Sequence, residues 1–403
     1  MPDYGSLLTD ELIWDIVKFL KEEAIHTDKL YDLVTTGTYP DGTREFKNIG
    51  KDGDATSGNT YFQNNCATCH TSDGTTIPGM EGETVGEFLR SEPYEIHHLI
   101  KFGMPGEAMM TQGFVGNISD EEMVNLYKTL ADEIAFPSLA VKSTDGVNGG
   151  KMYDKFWADE TNFIAPSDPG VNMNDISGFS DFYRCKSCHG WDQMGSATAY
   201  IDRSPTTTRP NVSSKNVHSF VLNNSTQAIF DAIKNTGGRP VDAALTSDGT
   251  NGNGDAHPDY GTILTDAQIW DIVKFLKGRA FDVTQLYAIQ LTGVYPTGSR
   301  TFSNVGKDGD ATAGTAFFAA NCALCHGANG RDNGNGIVID INTDIGKSIG
   351  EFARDKPYEL QHKSVYGNLG SSMKSNTAME SASQNDIKNL LKALSNPENY
   401  PDL

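Results

Sequence analysis

The sequence has few basic residues and no long apolar run. Lys and Arg together number 32 against 53 Asp and Glu, so the net charge of the 403-residue chain is -21. Phosphate binding needs clustered Lys and Arg, so this composition argues against a nucleic-acid partner. No apolar stretch reaches the roughly 18 residues that a membrane-spanning helix needs. The acidic excess favours either attraction to a basic partner protein or a simply well-solvated surface.

The amino terminus lacks the features of a secretion signal. It reads MPDYGSLLTDEL, with neither a basic segment nor an apolar segment behind it. A cleavable signal peptide requires both. We therefore do not expect the first residues of this sequence to act as a signal peptide.

Cysteine is scarce as well, and the six cysteines form three pairs. Each pair has the form Cys-x-x-Cys and is followed directly by histidine, which is the attachment motif for c-type haem. Two thiols one helical turn apart can bond the two vinyl groups of one porphyrin, and the next residue then lies under the iron as its proximal ligand. The three sets are Cys66, Cys69 and His70; Cys185, Cys188 and His189; and Cys322, Cys325 and His326.

Other uses of paired cysteines fit this pattern less well. A zinc site usually joins two Cys-x-x-Cys halves about 15–20 residues apart, whereas these pairs are separated by well over a hundred residues. A thioredoxin-like redox pair would not recur three times with a trailing histidine. The sequence therefore predicts three covalently attached haem c groups, with no cysteine left for disulfides.

A long internal repeat organises the chain. Residues 1–70 and 257–326 align without a gap and are identical at 41 of 70 positions, and looser similarity continues between 82–98 and 346–362. A period this long indicates tandem duplication. The repeat unit holds two kinds of haem module, and the first and third haems belong to the same kind.

The repeat also shows that the first module is incomplete. It keeps a closing helix at 9–21 but has no haem motif. We expect an N-terminally truncated form of a four-haem chain, whose missing part would carry a fourth Cys-x-x-Cys-His and a secretion signal; genuine loss of that half-module is the alternative. The expected organisation is 1–50 (closing helix and linker), 51–140, 141–298 and 299–403 (three haem modules).

Three kinds of helix are predicted around each haem. The first leads into the motif and carries a glycine and an aromatic residue on one face, at Gly58 and Phe62, Gly178 and Phe182, and Gly314 and Phe318. The second lies near 92–102, 225–235 and 356–366. The third closes the module behind a capping box at Ser119 and Thr265 and a looser version at Ser383. With no evident β alternation, the predicted fold class is all-α: three tandem helical haem modules plus the N-terminal helix of an incomplete fourth.

This arrangement resembles class I cytochrome c. In that family a helix with glycine and an aromatic residue leads into the haem motif and packs across a closing helix that carries another aromatic residue. Tyr127 and Trp270 match the latter position, whereas the third module departs from the pattern with Leu390 and Leu391. The resemblance covers all three modules.

The resemblance also implies distal iron ligands. The family's distal ligand is a methionine in a loop shortly before the closing helix, which corresponds to Met109 in the first module and Met373 in the third. Both lie ten residues before the serine that caps the closing helix. Met379 competes in the third module, and the aligned pair His98 and His362 are rival ligands.

The second module differs at this point. His257 stands where the amino-terminal copy of the repeat has Met1, so a histidine occupies a methionine position of the family. We expect bis-histidine ligation by His189 and His257; a loop histidine that contacts a propionate is the alternative. A thioether stabilises reduced iron and raises the potential, whereas a second imidazole lowers it. One low-potential haem between two higher ones is therefore expected.

These features predict an electron carrier rather than an enzyme. Filled axial positions leave the iron no open site for a substrate. The alternatives are a haem enzyme with one open axial site, such as a peroxidase or a sulfur-compound oxidase, and a filament-forming extracellular cytochrome. Expected partners are redox proteins, basic ones among them, with a homopolymer or a dehydrogenase complex as further options. Because thioether attachment takes place outside the cytoplasm, we expect a periplasmic or extracellular location.

Overall fold

The structure is a computed structural model, and it is mostly helical. It describes residues 4–23, 26–76, 83–103, 118–142, 144–158, 180–205, 216–238, 241–242, 257–331 and 346–403. The chain divides into two compact units, Met1–Ser143 and Thr144–Leu403. No helix among the described residues is long and apolar enough to cross a membrane.

The first unit combines short helices with one β-hairpin. Its helices are α1 (Asp10–Lys18), α2 (Ala55–Asn65), α3 (Ala67–His70), α4 (Val85–Ser91), α5 (Pro93–Phe102), α6 (Asp120–Leu130) and α7 (Leu139–Lys142), and its strands are β1 (Asp32–Thr36) and β2 (Thr43–Lys47). A π-helical turn, Phe19–Glu23, follows α1.

The second unit holds a larger set of elements. Its helices are α8 (Gly146–Lys155), α9 (Ser180–Tyr183), α10 (Cys185–His189), α11 (His218–Asn223), α12 (Thr226–Lys234), α13 (Tyr260–Ile263), α14 (Asp266–Gly278), α15 (Ala311–Asn321), α16 (Ala323–His326), α17 (Ile349–Asp355), α18 (Pro357–Tyr366), α19 (Thr377–Glu380) and α20 (Gln384–Leu394). Its strands are β3 (Val241–Asp242), β4 (His257–Pro258), β5 (Ala288–Thr292) and β6 (Ser299–Ser303).

The lead-in and closing helices of the first and third modules cross as predicted. A Cβ atom on Gly58 would lie 2.0 Å from the Asn125 carbonyl oxygen of α6, and one on Gly314 would lie 1.9 Å from the Asn389 carbonyl oxygen of α20. Only glycine permits backbones to approach this closely. The same asparagines accept the backbone N–H that precedes the partner helix, each over 2.7 Å.

In the second module only part of the predicted lead-in helix falls within the described residues. Gly178 lies outside the described residues, and Phe182 belongs to the short helix α9. The helix that crosses the closing helix α14 is α8, where a Cβ atom on Gly149 would lie 1.9 Å from the Asp271 carbonyl oxygen. Asp145 N donates to Asp271 Oδ1 over 2.7 Å, which repeats the polar contact of the other two modules. The lead-in helix and the haem motif are thus separated by an insertion that the sequence pattern concealed.

The closing helices begin where the sequence predicted. The side chains of Ser119, Thr265 and Ser383 each accept a hydrogen bond from the backbone N–H three residues later. The side chain of that later residue in turn accepts a hydrogen bond from the backbone N–H of the capping residue. The looser third version, with Asp386, forms the same reciprocal pair as the other two. The mid-module helices α5, α12 and α18 also lie within one residue of their predicted bounds.

Two β-hairpins were missed by the sequence prediction. In the first, β1 pairs antiparallel with β2 and Leu33 lies opposite Phe46; in the second, β5 pairs with β6 and Ile289 lies opposite Phe302. A parallel bridge also joins β3 and β4. The hairpins occupy equivalent positions in the two copies of the repeat, so they are a feature of the duplicated unit.

Candidate haem centres

The first and third haem motifs each form one helical turn at the end of a lead-in helix. His70 N donates to the Cys66 carbonyl oxygen over 3.0 Å, and His326 N donates to the Cys322 carbonyl oxygen over 3.0 Å. Both thiols and the imidazole of a motif therefore belong to a single turn. This is the arrangement that covalent attachment of one porphyrin requires.

The second motif lies on α10 and is fastened by a tyrosine. The Sγ atom of Cys185 donates to the Tyr260 hydroxyl over 3.8 Å, and that hydroxyl donates to the Tyr183 carbonyl oxygen over 2.9 Å. Tyr260 is buried on α13, three residues after His257. The segment just after His257 is thereby held against the start of the motif.

No disulfide joins any of the six cysteines. Burial raises the pKa of Cys66 to about 11 and that of Cys185 and of Cys322 to about 12. Desolvation is the main cause at each position, because burial disfavours the charged thiolate. In the described part of the chain no three His, Cys, Asp or Glu side chains cluster as a metal site of their own. Each pair of thiols with its own following histidine is the donor set that covalent attachment of one haem uses.

The structure brings His189 and His257 together. Their ring centroids are 6.2 Å apart and their planes are inclined at 41°. Two imidazoles on opposite sides of one iron, each bonded at about 2 Å, would place their ring centres roughly 6 Å apart. The observed separation therefore matches the space that one iron ion needs between two histidine ligands.

The backbone sets which nitrogen of His257 is available. Nδ1 of His257 lies 2.9 Å from the Pro258 carbonyl oxygen and, because a carbonyl can only accept, donates its proton there. Nε2 then keeps its lone pair. Histidines that bind metals commonly donate the other ring N–H to a backbone carbonyl in this way, which orients the ring and raises its basicity.

The methionine candidates have different outcomes. Met109 lies outside the described residues. Met373 is half-buried in the loop before α20, where its carbonyl accepts from Asn368 N over 2.9 Å and its N–H donates to Ser371 Oγ over 3.1 Å. Its competitor Met379 is buried on α19. The loop around Met373 is thus held by backbone contacts while its side chain remains partly accessible.

The rival histidines both lie among aromatic rings. His362 is buried, with ring centroids 4.6 Å from Tyr366, 4.7 Å from Trp191 and 5.7 Å from Phe275. Burial lowers its pKa to about 4, so the ring is neutral near pH 7. His98 is exposed and packs against Phe102 with centroids 4.9 Å apart. His362 therefore takes part in packing between helices, and His98 packs against the next turn of its own helix.

A buried group of charges lies beside the second motif. Arg184 pairs with Asp154, and Lys363 Nζ lies 2.7 Å from Glu359 Oε1. Lys186, inside the motif, is also buried; desolvation, reinforced by repulsion from Arg184, lowers its pKa to about 7. For Asp154, burial alone would raise the pKa, but the nearby cations Arg184 and Lys186 outweigh it and the pKa is lowered. The second motif thus lies in a strongly charged interior.

Sequence reasoning missed these charges, Tyr260, and the helix α8. The signal for α8 was present, because Asp145, Gly149 and Tyr153 repeat the spacing of Asp54, Gly58 and Phe62. It was hidden because the motif follows much later in the chain. The buried charges have no such signal, since their partners come from separate helices.

Family comparisons cover most of the chain. A family model described as cytochrome c matches residues 179–280 and 311–395. A second, described as cytochrome C oxidase, cbb3-type, subunit III, matches residues 53–128. No curated protein and no solved structure matches the chain. Each matched stretch contains one of the Cys-x-x-Cys-His turns, and the chain belongs to the multihaem c-type cytochromes, which carry out haem-based electron transfer.

Proposed function

We propose that the chain binds three haem c groups and passes electrons between redox partners through them. Each Cys-x-x-Cys-His set would hold one haem, with both cysteines in thioether bonds and the histidine on the iron. Support comes from the three motif turns: the first and third follow a lead-in helix that crosses a closing helix, and Arg184, just before the second, pairs with Asp154 of α8. The haem iron supplies the one-electron chemistry, and the protein provides the attachment points, the axial ligands and the surrounding apolar core.

The observation that carries this proposal is the facing pair His189 and His257. With an imidazole on each side of the iron, no coordination position stays open for oxygen, peroxide or a sulfur compound. The hydrogen bond from Nδ1 of His257 to Pro258 holds the ring in the tautomer that can bind iron. Such a closed site favours electron relay over catalysis at the second haem.

The other two haems receive a different ligand set in this proposal. His70 and His326 are the proximal ligands, and Met109 and Met373 the distal ones. A thioether ligand favours reduced iron, so these two haems have higher potentials than the second. Electrons therefore meet one low-potential haem in sequence between two higher ones.

The partners follow from charge and attachment chemistry. A net charge of -21 favours association with a basic redox protein, because opposite charges speed diffusional encounter. Covalent haem attachment takes place outside the cytoplasm, which supports a periplasmic or extracellular location. Service as the cytochrome subunit of an oxidoreductase is compatible with both points.

Two measurements test the proposal. A pyridine haemochrome assay on protein of known concentration should give three haems per chain. Electron paramagnetic resonance with near-infrared magnetic circular dichroism of the oxidised protein should show one bis-histidine and two histidine–methionine haems, all low-spin. If carbon monoxide binds the reduced protein without displacing an axial ligand, or if the oxidised protein gives a high-spin signal, one axial position is open. Either result would contradict the proposal and favour a haem enzyme.

A further inference from the structure

Helix α1 presents apolar side chains to solvent. Leu7, just before it, is 70% exposed, Trp14 70% and Leu20, just after it, 65%, and none of the residues of α1 is buried. Large exposed apolar patches on soluble proteins mark interaction surfaces. We therefore expect another segment or protein to cover this patch.

The second copy of the repeat shows the same helix covered. α14 repeats α1 with the shared segment Ile-Trp-Asp-Ile-Val-Lys-Phe-Leu-Lys, yet Ile272 is only 2% exposed where Ile16 is 48% exposed. α8 crosses α14 at Asp271, and Trp270 stacks on Phe230 of α12 with centroids 4.4 Å apart. In the second copy of the repeat, residues of α8 and α12 therefore cover the helix face that α1 leaves exposed in the first copy.

The neighbouring helix has the same geometry in both copies. Phe19 meets His98 of α5 edge-on, with centroids 6.0 Å apart and planes at 89°. Phe275 meets His362 of α18 in the same way, at 5.7 Å and 88°. The α1–α5 pair is thus already arranged like α14–α18, although it lacks the helices that cover α14.

We propose that α1 and α5 form a docking face for a c-type haem half-module of the same kind as residues 145–256. The fit is specific, because the close crossing of α8 needs a glycine where it meets the backbone of Asp271, and Asp15 is the matching residue of α1. In the second copy Asp271 also accepts from Asp145 N over 2.7 Å and from Asn148 Nδ2 over 2.6 Å. A half-module with Asp, Asn and Gly at these spacings would find the same acceptors on Asp15.

The second copy also indicates where the docked haem motif would lie. Next to α18, Gln361 Nε2 donates to the Trp191 carbonyl oxygen over 3.0 Å, two residues after His189. His97 takes the place of Gln361 on α5. Docking would therefore bring a further haem motif beside α5, and this consequence, which rests on the proposed electron-transfer function, makes the face a point of electron entry or exit.

The test extends the full chain at its amino terminus with a second copy of residues 145–256. The copy is joined to Met1 as Ala256 is joined to His257. Hydrogen–deuterium exchange with mass spectrometry then compares the amides of α1 in the extended and original proteins. We expect exchange to slow at least tenfold in the extended protein, because α1 becomes covered.

The matched control carries Gly149→Leu in the added copy only. Its side chain would clash with the backbone at Asp15, so α1 should exchange as in the original protein. Equal α1 exchange in the extended and original proteins overturns the proposal. It is also overturned if sedimentation shows the original protein to be a dimer that Ile16→Glu converts to a monomer, since a second copy then covers the face. The haem count and the ligand spectra of the original protein test the proposed function separately, so failure of either inference is distinguishable.

Discussion

The indole of Trp191 packs against the imidazole of His362 with ring centroids 4.7 Å apart. Trp191 follows the second haem motif by two residues, whereas His362 comes from α18 in the third module. Asp154, Glu359 and Lys363 surround the imidazole electrostatically. This contact therefore joins the segments that carry the second and third motifs inside one compact unit.

Replacement of His362 by phenylalanine should flatten the acid limb of the stability curve. The unfolded chain takes up a proton at this histidine near its ordinary pKa of about 6.5, whereas the folded chain resists it until about pH 4. As the pH falls from about 6.5 to about 4, His362 should therefore lower the free energy of unfolding of the wild type by about 3 kcal/mol. Urea titrations at pH 4 and pH 7 measure the difference between wild type and variant.

The exposed counterpart His98→Phe is the control for this prediction. Because the His98 side chain is exposed, its replacement should change the free energy of unfolding at pH 7 by no more than about 0.5 kcal/mol. An acid limb of equal steepness in wild type and His362→Phe would contradict the assignment of a buried neutral imidazole.

His257→Met should raise the potential of the second haem by on the order of 100 mV. A thioether in place of an imidazole favours reduced iron. A spectroelectrochemical titration should show the lowest-potential component move toward the other two. The matched control is His218→Met at the start of α11, which should leave all three potentials in place. No shift in His257→Met would mean that His257 does not bind the iron.

The two methionines of the third module can be separated by substitution. Met373→Leu should abolish one sulfur-to-iron charge-transfer band in the oxidised protein and lower the potential of the third haem, since it removes the proposed thioether ligand. Met379→Leu should keep that band, because a buried methionine tolerates an isosteric apolar replacement at a cost of under about 1.5 kcal/mol. The reverse result would assign Met379 as the ligand.

Gly149→Ala should destabilise the second unit although alanine favours helices. The added Cβ atom would lie 1.9 Å from the Asp271 carbonyl oxygen, so α8 and α14 must separate. Overpacking of this kind costs about 1–3 kcal/mol, more than the gain of about 1 kcal/mol in helix propensity. Gly237→Ala, which meets nothing within 4 Å, is the control. Equal urea midpoints for the two variants would argue against the close crossing.

Local signals explain what could be predicted from the sequence. The three Cys-x-x-Cys-His sets, the capping residues Ser119, Thr265 and Ser383, and the mid-module helices each depend on residues a few positions apart. Such short-range patterns define both the helix ends and the chemistry of haem attachment. Duplication was equally readable, because it needs only comparison of the chain with itself.

Long-range packing explains which features could not be predicted from the sequence. α8 meets α14 through Gly149 and Asp271, which are more than a hundred residues apart, and an insertion separates α8 from the motif it serves. The hairpins depend on cross-strand pairs such as Leu33 with Phe46, whose alternation is weak in the sequence.

The sequence by itself determined that this chain carries three Cys-x-x-Cys-His motifs on a duplicated helical plan. Only the tertiary structure decided which helix crosses α14, that His257 faces His189, and that His362 is enclosed by aromatic rings between two modules. The physical reason is that covalent attachment and helix capping act over a few residues. Facing ligands and buried aromatic contacts arise only when distant segments pack together.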